Sequence, residues 1–207
     1  MRVQGNDNIE FVVIQHFDYE LLNAASQLHI KHLSYRSFIT MFGSKFMLEL
    51  YRDILAERLG FFVFALDGKS VGGFVLGCTN SQQLFGLVMR RPFRYFKMIV
   101  PRLIVKPALI PKLFETLFYV KKENSAVDSE LVVIVTDENY RDSGVGTRLV
   151  SVLNDEFRKR KIHQYKVTVH DEMMRSNNFY VKNGMRLSAS FRMYGVKWNL
   201  YLNEIGR

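Results

Sequence analysis

The chain of 207 residues is 48% hydrophobic and 24% charged, which fits a folded protein with a real core and excludes long disordered tracts. A single cysteine, Cys78, excludes an internal disulfide framework and a cysteine-based zinc site, and fits a reducing, intracellular setting. Residues 1–8 show no secretory signal, and no apolar run is long enough for a membrane span, so the expected protein is soluble or surface-attached, with a formal charge of +9 that favours anionic partners.

Residues 11–17 read as a short strand. From 19 to 29 the period turns helical, with Leu21, Leu22, Ala25 and Leu28 on one face. Ser37 is placed to cap a second helix that carries Phe38, Met41, Phe42, Phe46, Tyr51 and Leu55 and stops near Gly60. Residues 61–66 and 71–77 are strands, and Asp67-Gly68 between them predicts a hairpin. Residues 81–123 differ in kind: nine lysines and arginines stand against two glutamates, and all four prolines (Pro92, Pro101, Pro107, Pro111) lie there. The prolines break any long helix, so two or three short ones are expected. Residues 131–136 form a near-continuous apolar run, as in a buried central strand. Val145, Leu149, Val152, Leu153 and Phe157 then mark a helix face. Residues 165–170 alternate as a strand, 173–182 are helical with Asn183-Gly184 as the stop, and 185–204 read as a last strand pair around Tyr194-Gly195.

The chemistry-bearing motif lies between the central strand and its helix: Arg141-Asp142-Ser143-Gly144-Val145-Gly146-Thr147. Glycines let a backbone approach a ligand closely, and the free N–H groups of a helix start then point at an anion. The same residues also suit a plain strand-to-helix turn. A dinucleotide fingerprint is excluded, because it needs a small residue where Leu149 stands. A P-loop is excluded by the missing Gly-Lys-Ser/Thr.

Ser176-Asn-Asn-Phe-Tyr-Val-Lys-Asn-Gly-Met185 follows the next strand. Together the two segments resemble the GNAT superfamily of N-acetyltransferases. Its Gln/Arg-x-x-Gly-x-Gly/Ala motif stands as Arg141, Gly144 and Gly146. Its small residue, Phe/Leu-Tyr-x-x-x-Gly-Phe element stands as Ser176, Phe179-Tyr180 and Gly184-Met185. The resemblance is specific over 131–185 and looser over 21–77. Two positions depart from the family: Met173 replaces an asparagine that contacts the cofactor, and Glu138 replaces a proline.

The resemblance implies an α/β fold with a mixed, mostly antiparallel central sheet flanked by helices, here with a basic helical insert (81–123) before the central strand, in one domain over 1–207. It implies acetyl-CoA as cosubstrate. The backbone of Ile134, Val135 and Thr136 would pair with the pantetheine arm where the central strands splay. The pyrophosphate would sit on the N–H groups from Asp142 through Ser143, Gly144, Val145 and Gly146 to Thr147. Arg141 would add charge there or hold the turn. Tyr180 would be the general acid, its phenol pKa of about 10 suiting donation to a thiolate. For the base, Asp137, Glu138, Glu130, His170 and a bound water stay open, and no metal is expected.

The expected reaction is direct transfer of acetyl to a small primary amine. The order His29-Ile-Lys-His-Leu, then Ser37-Phe-Ile, resembles bacterial GNAT proteins of surface-polysaccharide biosynthesis, which points to an amino sugar linked to a nucleotide or lipid. A protein or peptide amine is the alternative acceptor. The basic insert reads in three ways: an acceptor lid, a contact with an anionic membrane, or a helical elaboration. RNA binding is a rival class without a supporting motif, and no nucleic acid is expected. The expected location is cytoplasmic, with the inner face of the membrane open, and a homodimer is also open.

Overall fold

The computed structural model of the protein describes residues 9–34, 37–122 and 127–206. The expectations for residues 1–8 and for Glu123 lie outside them. Seven strands form one sheet in the order β1-β2-β3-β4-β5-β7-β6. In chain order these are β1 (Ile9–Ile14), β2 (Gly60–Asp67), β3 (Ser70–Cys78), β4 (Glu130–Thr136), β5 (Gln164–His170), β6 (Arg186–Met193) and β7 (Val196–Glu204). Only β4 and β5 run parallel; the other pairs are antiparallel. The expected α/β class, the central place of β4 and both hairpins therefore hold.

The run Phe61-Phe-Val-Phe-Ala65 shows why β2 lacks a polar face. All five residues are fully buried, because helices cover both sides of the sheet. Phe62 and Phe64 join Phe74 and Leu76 under α1 (Tyr19–Leu33) and α2 (Ser44–Ala56). Phe61, Val63 and Ala65 pack on the opposite side with Leu149, Leu153 and Phe157 of α6 (Val145–Lys159). Burying one such phenylalanine contributes roughly 1.5–3 kcal/mol. Cys78 is buried, which pushes its thiol up to about 12 and suits a core residue.

The second helix starts later than the capping signal at Ser37 predicts. Phe38 leads into a single 3-10 turn, Ile39–Phe42, and Gly43 then takes a φ of 92° before α2 begins at Ser44. That left-handed step suits glycine and breaks what periodicity alone reads as continuous.

The insert folds as α3 (Ser81–Arg90), α4 (Pro92–Val105) and α5 (Leu109–Lys122). Pro92 opens α4, where its missing N–H costs nothing. Pro101 lies inside α4, and the helix continues over it, contrary to the rule that prolines break helices. Tyr95 and Ile99, both buried one and two turns into α4, hold it against the core. Asp53 on α2 fixes the insert more firmly. It is 1% exposed, and its carboxylate accepts from Arg91 (2.7 Å), Arg94 (2.7 Å) and the Tyr95 hydroxyl (2.9 Å). Two of the insert's cations thus serve internal attachment, which composition does not reveal.

Candidate active site

The central strands part after a single step. β4 and β5 pair only at Glu130 opposite Lys166, while β3 follows β4 as far as Gly73 opposite Thr136. Beyond Glu130 the β5-facing edge of β4 is therefore open over Ile134, Val135 and Thr136, a place where an extended ligand can add as a strand. Two irregularities lie beside it, in the β3–β4 and β2–β3 pairings. The register skips Val132 on β4 opposite the Leu76–Gly77 step, and it skips Gly72 on β3. Such bulges bend a strand and increase its twist.

The Gly72 bulge also builds the turn after β4. The Gly72 carbonyl accepts from the Asp137 N–H at 2.9 Å, and a side chain at Gly72 would meet the Tyr140 ring at 3.1 Å. Tyr140 reaches back to Asp67 at 3.0 Å, and Ser143 Oγ donates to the Tyr140 carbonyl at 2.6 Å. The backbone then turns left-handed at Asp142 (φ 60°) and at Gly144 (φ 86°), and α6 starts with no side-chain cap. Its first N–H groups are what an anion needs. Gly146 has a different role from Gly144. A Cβ there would stand 3.2 Å from the Phe179 ring, so the missing side chain lets α6 and α7 (Met174–Lys182) meet. The turn thus leaves uncapped backbone N–H groups at the start of α6. Gly144→Val should weaken acetyl-CoA binding by about tenfold or more, because a β-branched residue resists positive φ and the cradle must reshape. Calorimetric titration checks this, and unchanged affinity would make the turn purely structural.

Arg141 is held rather than free. Its guanidinium lies 2.9 Å from His32 Nδ1, and Glu138 stands 3.9 Å from it. His32 Nε2 is 3.4 Å from Asp137 Oδ2, and Lys31 Nζ donates to the same oxygen at 2.8 Å. The end of α1 is thereby fastened to the loop after β4. The hydrogen bond from Lys31 is the main reason that the Asp137 carboxyl falls from 3.8 to about 2. A depressed carboxylate pKa stabilises the fold above the ordinary pKa and loses that contribution as pH falls through the folded value. The wild type should therefore lose stability between pH 3.8 and about 2 in a way that Asp137→Asn does not. Acid unfolding followed by circular dichroism tests this; parallel curves would remove the ion pair from the acid limb.

Tyr180 on α7 is 6% exposed and packs with Phe179, Tyr201 and the cluster that includes Val145 and Val169. Burial raises its pKa above the usual phenol value, so the hydroxyl stays protonated. No hydrogen bond joins that hydroxyl to another described residue, an uncommon state for a buried polar group. Asn177, one turn earlier, is the connector that motif reading missed. Its amide donates to the carbonyls of His170, Asp171 and Met173 at 3.0, 3.1 and 2.9 Å. Its Oδ1 accepts from Asn199 (3.0 Å) and Tyr201 (2.9 Å). Met173, in place of the family's asparagine, precedes α7 and offers no side-chain cap.

The base candidates separate in space. Glu130 sits at the closed end of the two strands, away from the opening. Asp137 is committed to Lys31, and Glu138 is exposed. His170 ends β5 at the open side. It is only 7% exposed, not solvated, and its ring meets Trp198 edge to face. It lines a cavity of about 360 Å³ with Phe38, Met41, Lys112, Tyr194 and Trp198. The Glu172 N–H donates to His170 Nδ1 at 3.3 Å. His29, in contrast, is buried against the Tyr51 hydroxyl at 2.5 Å, and desolvation lowers its pKa to about 4, so it is a neutral core residue.

Residues 115–185 match the model of the Acetyltransferase (GNAT) family. The chain superposes on a GNAT-family protein from Desulfovibrio desulfuricans with a TM-score of 0.61 at 14% identity, covering 96% of this chain and 99% of that one. The ribosomal-protein-S18-alanine N-acetyltransferase from Escherichia coli gives 0.59 at 12% identity, covering 96% of each chain. A Salmonella typhimurium protein solved with its cofactor acetyl-CoA gives 0.59 at 11% identity, covering 96% and 95%. No curated protein matches the chain. The mixed, mostly antiparallel sheet flanked by helices is the fold of these structures.

Proposed function

We propose that this GNAT-fold chain is an acetyl-CoA-dependent N-acetyltransferase acting as one domain over 1–207, and that its acceptor is an amino sugar carrying a nucleotide or lipid phosphate. The observation that carries the reading is the parting of β4 from β5 beside the uncapped start of α6. An added strand along Ile134, Val135 and Thr136 and an anion on the N–H groups from Asp142 to Thr147 match the two halves of one coenzyme. When bound, acetyl-CoA supplies an activated acyl carbonyl.

The chain's own residues do the rest. The β4 edge and the α6 start fix the position of the thioester, and positioning is a large part of such a rate enhancement. A backbone N–H of β4 meets the charge that develops on the carbonyl oxygen. The amine nitrogen bonds to the carbonyl carbon, the C–S bond breaks, and the Tyr180 hydroxyl gives its proton to the leaving thiolate. The proton lost by the amine passes to water in the open cleft, and water returns a proton to the Tyr180 phenolate. His170 stands at the open end of β5, in the wall of the cavity where the acceptor would sit.

The cavity beside His170 supports the acceptor class. Phe38, Tyr194 and Trp198 supply flat apolar walls for a sugar ring, and Lys112 lines the same cavity. Ser37, Phe38 and Met41 form one side of it. Calorimetric titration with acetyl-CoA, with dephospho-CoA and free nucleotides as controls, tests the first half. Saturable binding that prefers acetyl-CoA is expected, and no binding at millimolar ligand would defeat the proposal. Acetylation of amino sugars against N-terminal peptides tests the second half, and turnover with peptides alone would move the acceptor class to proteins.

A further inference from the structure

Helix α4 is apolar on both sides. Tyr95 and Ile99 face inward and are buried in the core. Phe93, Phe96, Val100 and Ile104 recur at three- and four-residue steps on the outward side. Phe93 is 87% exposed and Ile104 76%. Ile110 and Phe114, four residues apart on α5, add two more exposed apolar side chains. An exposed apolar stripe on a helix whose other side is already buried in the core marks a contact site.

The charge around the face points to what covers it. Residues 81–114 contain seven lysines and arginines and no aspartate or glutamate. Asp53 and Glu57 engage Arg91 and Arg94. Lys97 and Arg102 are exposed on α4, and Arg90 at the end of α3 and Lys106 in the link after α4 are exposed beside them. A second copy would set this basic, acid-free segment against itself. RNA would answer the cations and stack on the phenylalanines, but Val100, Ile104 and Ile110 offer no ring on which a base can stack. Hydrocarbon under a layer of negative headgroups answers both features.

We propose that the outward face of α4 and α5 docks the protein on an anionic lipid surface. Its apolar side chains enter the acyl boundary, and the lysines and arginines meet headgroup phosphates. Lys112, on the other side of α5 from Ile110 and Phe114, lines the cavity assigned to the acceptor. One helix diameter, about 10 Å, then separates that cavity from the lipid. An acceptor anchored in the membrane would be within reach, a consequence that rests on the proposed function.

Sedimentation of the full chain with vesicles tests docking without any turnover. Binding to mixed phosphatidylcholine–phosphatidylglycerol vesicles is expected, with little on pure phosphatidylcholine. Phe96→Ser with Ile104→Ser should lower the apparent affinity by more than about tenfold, as should Lys97→Glu with Lys106→Glu. All four residues are exposed, so both pairs should keep the wild-type melting midpoint. Absence of binding to the anionic vesicles, or binding indifferent to both pairs, overturns the proposal. So does a dimer that dissociates in the Phe96/Ile104 variant, which would give the face to a second copy, or an RNA gel shift lost in both pairs without vesicle binding. Because acetyl-CoA titration is separate, vesicle binding without coenzyme affinity would sink only the enzyme reading, and the converse only this one.

Discussion

Tyr180→Phe is expected to keep acetyl-CoA affinity within a few-fold and to lose turnover by about 10²–10⁴, the usual contribution of a positioned general acid. The substitution removes one oxygen and leaves the ring contacts with Phe179 and Tyr201 in place. The hydroxyl has no hydrogen-bond partner among the described residues, so its loss orphans nothing in the protein. The variant should be as stable as the wild type, or slightly more so, since a buried unpaired hydroxyl carries a desolvation cost. Steady-state rates with the best acceptor, beside a coenzyme titration and a melting curve, separate these effects. Wild-type turnover in the variant would remove Tyr180 as the acid. Lost affinity with normal turnover of bound coenzyme would make it a binding group instead.

Asn177→Ala should be the most destabilising single change near the site, at about 3 kcal/mol. It would remove the side-chain donor that the carbonyls of His170, Asp171 and Met173 share, leave only His170 and Met173 with backbone donors among the described residues, and deprive Tyr201 and Asn199 of their acceptor. In a chain of this size the melting midpoint should fall by roughly 6–12 °C. Asn177→Asp is no rescue, because a carboxylate would place an acceptor against three carbonyl oxygens. Thermal unfolding of both variants is the check, and an unchanged midpoint in either would show that the network is not what holds α7 to β5 and β7. A loss of kcat beyond the loss of folded protein is also expected, as Asn177 sets the first turn of the helix that carries Tyr180.

Much of this protein follows from local pattern. The alternation over 165–170, the apolar run over 131–136 and the Asp67-Gly68 turn predict strands that the structure contains. The Arg141 to Gly146 turn is legible for the same reason: positive φ and an uncapped helix start are properties of a few consecutive residues. The start of α2 was not legible, because Gly43 interrupts an apolar period that runs unbroken through Phe38, Phe42 and Phe46. The two or three short helices expected of 81–123 are there as three, and α4 runs on through Pro101 because the core contacts of Tyr95 and Ile99 outweigh the lost hydrogen bond.

By itself, the sequence determined the class of fold and the likeness of residues 131–185 to an acetyltransferase, because these depend on neighbours in the chain. Tertiary structure alone decided which charged groups are spent and which remain. Lys31 neutralises Asp137 across 106 positions, and His32 holds Arg141 across 109. Asp53 takes Arg91 and Arg94 out of the basic surface, and the strand end at His170 turns out to be the wall of a cavity built also from Ser37, Phe38, Met41 and Lys112. Such groups act on one another over a few ångströms in space, and spacing along the chain carries no record of that distance.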